Sequence, residues 1–388
     1  MIAPQKHLGP DIKTILGENA LDGDGRPWNS RLARITGTDV ERALSQPAGA
    51  YSFEKLITLV SPAAQDYLEQ MAQLAHHLTI QRFGRTIRLY APLYLSNFCV
   101  NSCRYCGFNK ESKSERTRLT IEQALEEADI IASEGFTDLL LVSSEDRDFI
   151  TIDYFAELAR KLREKFSFIA VEVYAMNTNE YAKLFEAGIE GVTLYQETYD
   201  REVYRYNHRA GPKSDYDNRL QSPDRMAAAG MREVGLGVLL GLTDWRAETL
   251  VLAEHAHYLI KRYWQSHVSF SFPRLRPAFE VQRSQFKHLL SDKNLTQMIM
   301  ALRLCFADAG LVLSTRERAE LRDHLISLGI TKMSAGSKTN PGGYSACSDS
   351  TKQFEIDDSR TPAQVAAMIK RQGLEPVWKD WDSAFVNG

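Results

Sequence analysis

Residues 93–108 read LYLSNFCVNSCRYCGF, and this stretch decides how the rest of the chain is read. Its first half closes a strand-like run, Arg88 to Ser96. Its second half is a polar loop carrying Cys99, Cys103 and Cys106, three of the five cysteines in 388 residues. An odd, clustered set argues for metal ligation rather than a disulfide framework. Cys305 and Cys347 stand apart and read as buried or incidental thiols. Zinc is the plainer reading of the triad. A closed structural zinc site needs four ligands, however, and no second cysteine pair or HxxxH supplies the fourth. Three thiolates on an iron–sulfur cluster leave one iron open to a small ligand, and soft sulfur donors suit that metal.

Outward from this loop, short β-rich runs alternate with helix-period stretches. The strand candidates are 88–96, 137–143, 168–175, 191–196, 233–240, 268–272, 311–315 and 331–335. The helix candidates are 120–134, 151–166, 178–187, 217–229, 246–264, 292–308, 317–327 and 362–372. Eight such units imply an α/β fold, a (β/α)8 barrel of TIM type. A doubly wound sheet would need fewer strands and a nucleotide-type glycine loop, which the chain lacks. The strand ends are polar, as the mouth of such a barrel requires. Residues 1–85 read as an N-terminal helical extension, 86–345 as the barrel, and 346–388 as a C-terminal helix and tail packing on it. Within the extension, Ser61 and Pro62 look like the N-cap and first position of an amphipathic helix running to Phe83.

Forty-seven basic and fifty acidic residues give a formal charge of −3, which removes the electrostatic case for a nucleic-acid binder or a polybasic membrane protein. No apolar run approaches the roughly 20 residues of a membrane span. MIAPQKHLGP at the N-terminus has no apolar signal core, so the expected location is cytoplasmic.

The cysteine triad, with Tyr105 directly before its last member, resembles the signature of the radical S-adenosylmethionine (SAM) superfamily. LYLSNFCVNSCRYCGF looks more specifically like the aromatic amino acid lyase family within it. LLLVSSE (139–145), YQETY (195–199), SFPRLRP (271–277), STRE (314–317), MSAGSKTNPGGY (333–344) and GLEPVWKDWD (373–382) extend the likeness over the barrel and tail. The related hydrogenase maturase carries an extra C-terminal cysteine triad, whereas here only Cys347 lies beyond Cys305. The NPGGY and VWKDWD segments favour the tyrosine-cleaving, thiamine-associated branch over the tryptophan-cleaving one.

The resemblance implies that Cys99, Cys103 and Cys106 hold a 4Fe–4S cluster whose open iron chelates SAM. Reductive cleavage of SAM then yields a 5′-deoxyadenosyl radical. Tyr105 is expected against the adenine. Ser143-Ser144-Glu145 stands where the superfamily has Gly-Gly-Glu and is expected to hold the methionine ammonium, as a carboxylate beside a cation does. Glu172 and Gln196 are expected near the ribose or substrate, and Arg219 on the SAM carboxylate. A substrate carboxylate calls for a guanidinium: Arg316, with Ser314 beside it, is the first choice, and Arg274 and Arg276 follow. One of the two arginines at 274 and 276 is expected to be structural. Glu197 and Tyr199 are the candidates for a base at the substrate amine.

The implied reaction is cleavage of the Cα–Cβ bond of L-tyrosine to 2-iminoacetate (dehydroglycine) and p-cresol, for thiamine thiazole formation. Implied partners are an electron donor of flavodoxin or ferredoxin type and a thiazole synthase. Two alternatives stand beside it: a tryptophan lyase forming 3-methylindole-2-carboxylate, and a non-catalytic metal-binding scaffold. MSAGSKTNPGGY reads either as a lid over the substrate or as a mobile loop.

Overall fold

The computed structural model describes residues 9–19, 21, 26–345 and 350–379. Cys347 and the end of the tail motif lie outside them. Eight parallel strands close a barrel: β1 (Thr86–Ser96), β2 (Asp138–Ser143), β3 (Phe168–Glu172), β4 (Gly191–Thr193), β5 (Glu233–Gly237), β6 (His267–Ser271), β7 (Gly310–Leu313) and β8 (Lys332–Ser334). Sequential neighbours pair throughout, and β1 pairs with both β2 and β8, which closes the ring. All eight expected strands are present. β3, β4 and β5 end earlier than the apolar runs predict; beyond β4 and β5 only isolated bonds continue toward the mouth, such as those from Leu194 N to Gly235 O (3.0 Å) and from Leu240 N to Pro273 O (2.8 Å).

A ninth strand, β9 (Glu375–Val377), pairs with the start of β1 outside the ring. At three residues including a proline it has no alternation to read.

The helices start where short polar side chains cap them. Thr120 and Asn177 each form a capping box with the residue three positions on, satisfying the free N–H groups of the first turn. The expected helix at 217–229 is two helices, Tyr216–Leu220 and Ser222–Ala228, with Pro223 near the start of the second. Proline has no N–H to continue the first. Ser61 Oγ accepts from Ala64 N at 3.3 Å, but the first turn is a 3-10 helix (Ala63–Tyr67) and the α-helix spans Leu68–Phe83.

One apolar core runs from Ile12 to Leu374, joining the N-terminal helices to the barrel. At the N-terminal end of the barrel, Arg88 pairs with Asp138, and Lys332 lies 3.4 Å from Asp138 and 3.7 Å from Glu233. This buried charge cluster plugs the floor, so ligands have access only from the opposite mouth. Among the described residues no helix is long and apolar enough to cross a membrane.

Candidate active site

The loop after β1 carries the three cysteines over the mouth. It is tied down by an antiparallel pairing with residues 207–210: Arg104 N donates to Asn207 O (3.1 Å), Arg209 N to Ser102 O (3.0 Å) and Ser102 N to Ala210 O (3.0 Å). Gly211 ends that pairing at φ +89, and a Cβ there would lie 2.4 Å from Asn101 Oδ1, so only glycine allows so close an approach. All three thiols open onto one cavity. Burial pushes the Cys103 thiol up to about 12 and Cys106 up to about 11. Cys103 and Cys106 therefore stay protonated until a metal displaces the protons. Asn101 directs its backbone N–H and Nδ2 at Cys99 Sγ, at 3.5 and 3.6 Å. No group of three His, Cys, Asp or Glu side chains among the described residues is arranged to hold a single ion. An all-sulfur donor set fits an iron–sulfur cluster, to which these three residues would each supply one thiolate.

The rest of this cavity's wall alternates charge. Glu145 is buried, accepts from Asn101 Nδ2 at 2.8 Å and from Arg147 Nε at 3.0 Å, and its carboxylate is thereby oriented beside the cysteine loop. Ser144 reaches the same loop, donating its Oγ to Phe98 O, while Ser143 Oγ donates to Ser144 O at 2.9 Å. On the opposite side Glu197 sits at φ +71, a strained position for a non-glycine residue. Burial alone would raise its pKa, but Lys213 and Arg219 hold it below the ordinary carboxylate value. Arg219 is itself anchored by Nε donating to Tyr195 O at 2.6 Å.

Tyr105 donates its hydroxyl to His208 Nε2 at 2.7 Å. His208 Nδ1 faces Tyr204 O at 2.8 Å; a carbonyl only accepts, so the ring is the Nδ1–H tautomer and Nε2 is free to accept. Burial first, and Lys213 next, push His208 down to about 3, which keeps it neutral.

A second, smaller chamber lies deeper in the barrel and shares Val142, Glu172, Tyr195, Pro273, Arg316 and Phe354 with the first. Glu172 accepts from Tyr195 Oη at 3.0 Å, and burial raises its pKa despite nearby Arg316. The Arg316 guanidinium stacks 3.3 Å above the Phe354 ring. Ser314, Ser334, Ser337 and Thr339 also line this chamber. The MSAGSKTNPGGY segment is packed rather than loose. Tyr344 N and Ser345 N donate to Glu127 at 2.9 and 2.7 Å, and Tyr344 Oη donates to Pro92 O at 2.8 Å.

Three expected site residues reach neither chamber, and Ser314 reaches only the inner one. Arg274 is buried in a bidentate pair with Glu317 and a 2.8 Å pair with Asp292, while Arg276, two positions on, lines the cavity and pairs with Asp357. Tyr199 is in the apolar core, its hydroxyl on His255 Nδ1 at 2.8 Å. Gln196 is buried, bonded through its backbone N–H to Gly237 O at 3.1 Å. Sequence reasoning missed Lys213, Gln353 and Phe354, which line the cavity from irregular segments with no periodicity to mark them.

Residues 93–253 match the radical SAM superfamily, and 271–375 match the biotin and thiamin synthesis associated domain. The chain is 45% identical over 360 residues to the 2-iminoacetate synthase of Salmonella typhimurium, covering 92% of this chain and 94% of the relative. The Escherichia coli 2-iminoacetate synthase is 44% identical over the same shares. The structure of the FeFe-hydrogenase maturase HydG from Carboxydothermus hydrogenoformans superposes with a TM-score of 0.82 at 30% identity, covering 97% of this chain and 86% of that one. These likenesses run through the barrel and its mouth together, which a scaffold retaining only the cysteine loop would not produce. The chain belongs to the 2-iminoacetate synthase family of radical SAM carbon–carbon lyases.

Proposed function

We propose that the protein cleaves the Cα–Cβ bond of L-tyrosine to 2-iminoacetate and p-cresol, with a 4Fe–4S cluster on Cys99, Cys103 and Cys106. The observation that carries this reading is the pair of joined chambers: an outer one walled by three thiols and alternating charge, and an inner one bearing a guanidinium beside aromatic rings. When bound, the cluster and SAM supply a radical that abstracts hydrogen.

The protein's own residues position the two substrates. Glu145 offers a carboxylate to the methionine ammonium, and Arg219 with Lys213 offers positive charge to its carboxylate. Arg316 stands at the join between chambers, where it can take the tyrosine carboxylate and leave the phenol ring in the inner chamber among Tyr90, Tyr94 and Phe272. Glu172, whose pKa burial raises, is placed to take a proton from the substrate amine. The packed 333–345 segment, with Gln353 and Phe354 behind it, excludes water from the inner chamber.

A flavodoxin- or ferredoxin-type electron donor and a thiazole synthase that receives the hydrolysis-prone imine complete the proposal; both rest on the family likeness. The test is an anaerobic assay of the reconstituted protein with SAM, dithionite and either L-tyrosine or L-tryptophan. Tyrosine-dependent p-cresol, with glyoxylate from the hydrolysed imine, is the expected result. Formation of 3-methylindole-2-carboxylate from tryptophan instead would overturn the substrate assignment, and absence of 5′-deoxyadenosine from loaded protein would overturn the radical chemistry.

A further inference from the structure

Arg116 lies outside every motif that marks the site, ten residues beyond Cys106. Its guanidinium reaches back across the cysteine loop. Nη1 donates to Asn97 O and to Phe108 O (2.9 Å), and Nη2 donates to Asn109 O and, at 3.4 Å, to Ser112 Oγ. Asn97 is two residues before Cys99, and Phe108 and Asn109 are two and three after Cys106, so one side chain closes both ends of the loop. Asn97 in turn donates Nδ2 to Glu115 O (2.7 Å) and accepts from Thr117 N (2.6 Å), which locks the segment carrying Arg116 against the strand end.

The acceptors of this guanidinium are all neutral. Arg118, two positions on, is by contrast neutralised by Asp146, with two bonds of 2.7 Å. Among the described residues no carboxylate pairs with Arg116, so its charge remains uncancelled beside the thiols. Cys99 and Cys106 lie within its electrostatic range.

We propose that Arg116 is a positioning residue for the cluster: its planar fork fixes the loop that presents the three thiolates, and its charge favours the reduced cluster. This rests on the cluster assignment made above. A cluster gains one negative charge on reduction, and a nearby fixed cation stabilises the more negative state. Lysine keeps the charge but cannot span four acceptors as the guanidinium fork does.

The test compares the full-length parent, Arg116→Lys and Arg116→Gln after anaerobic reconstitution. It measures iron and sulfide per chain and the midpoint potential by an EPR-monitored redox titration. The expected result is a more negative potential and lower iron retention for Arg116→Gln. Arg116→Lys should hold a potential near the parent's but retain less iron. Parental potential and iron content in Arg116→Gln would overturn the proposal. Should that variant fail to unfold cooperatively, Arg116→Lys decides alone, and iron content equal to the parent's would overturn the role of the fork. A parent that takes up no cluster would instead overturn the underlying assignment of the triad.

Discussion

Lys213 Nζ lies 2.6 Å from Glu197 Oε1, and both groups stand in the connection between β4 and β5. Lys213 comes from a 3-10 turn, Pro212–Ser214, after the loop that pairs with the cysteine segment. Its backbone N–H donates to Asn101 Oδ1 at 2.8 Å. One residue thus connects the cysteine loop, through Asn101, to the strained turn after β4. Lys213→Met is expected to raise the KM for SAM roughly tenfold to a hundredfold, the range for losing a hydrogen bond to a charged group, with a smaller fall in kcat. Titrating 5′-deoxyadenosine formation against SAM measures this. A KM equal to the parent's would mean that the pair is purely structural.

Arg316 has no carboxylate partner among the described residues; its contacts are the Phe354 ring, Arg274 O at 3.5 Å and Ser314 Oγ on its own backbone N–H. A buried-side guanidinium left available in this way is suited to a ligand carboxylate. Arg316→Lys keeps a point charge but loses the planar fork and the ring stacking. The KM for tyrosine should rise roughly tenfold or more while the KM for SAM stays put. A parallel rise in both would place Arg316 on the cofactor instead.

The barrel and the cysteine loop were legible because both are local signals: alternation of apolar runs with helix-period segments, and three thiols at close spacing. Glu145, Glu172 and Glu197 were legible as polar groups at strand ends, and Arg219, in a helix, only through the family resemblance. Lys213, Gln353 and Phe354 were not, since they sit in irregular backbone whose path is set by packing. The arginine pair at 274 and 276 shows the middle case. Strand alternation places positions 274 and 276 on the same side, so nothing local told them apart; the choice depended on Glu317 and Asp292, which pairing in space and not in sequence supplies. Tyr199 misled for a related reason: it is two residues past Glu197, in a turn where the alternation no longer holds.

His208 carries a pH dependence of defined sign. Its folded pKa of about 3 lies below the ordinary histidine value of 6.5, so the unfolded chain binds the extra proton between those values. Its contribution is fully present above about pH 6.5 and is lost as pH falls toward 3, at up to about 1.4 kcal/mol per pH unit. Protonation would also take the acceptor from Tyr105 and set a third cation beside Lys213 and Arg219. His208→Gln keeps a donor and an acceptor without titrating. Its urea midpoint should fall less steeply than the parent's between pH 6.5 and 5; identical slopes would remove His208 as the source.

Glu248 has the opposite sign. It is buried, accepts from Thr198 Oγ1, from Thr243 Oγ1 (2.5 Å) and from Tyr199 N (3.0 Å), and burial pushes it up to about 7. The folded state therefore holds a proton that the unfolded state releases near 4.5, and stability is lost as pH rises through about 7. Glutamine fits the site, because its carbonyl can face Tyr199 N while its amide donates to the two hydroxyls, which can accept. Glu248→Gln should gain on the parent between pH 5 and 8, by up to about 3 kcal/mol. Parallel stability profiles for the two proteins would show that Glu248 is ionised throughout.

Tyr199 and Glu197 separate structure from chemistry within a single turn. Tyr199 Oη bonds His255 Nδ1 in the core, and burial holds the phenol well above its ordinary pKa, which disqualifies it as a base. Tyr199→Phe leaves a buried imidazole nitrogen without its partner, at a cost of about 1–3 kcal/mol, with kcat for p-cresol formation retained. Glu197→Gln, at the cavity wall, removes the charge that Lys213 and Arg219 face and should lower turnover at subsaturating SAM by at least tenfold. Thermal unfolding measured alongside turnover distinguishes the two. If Tyr199→Phe abolished p-cresol with its melting temperature intact, the hydroxyl would have to reach the reacting atoms, and its burial against His255 could not be its working state.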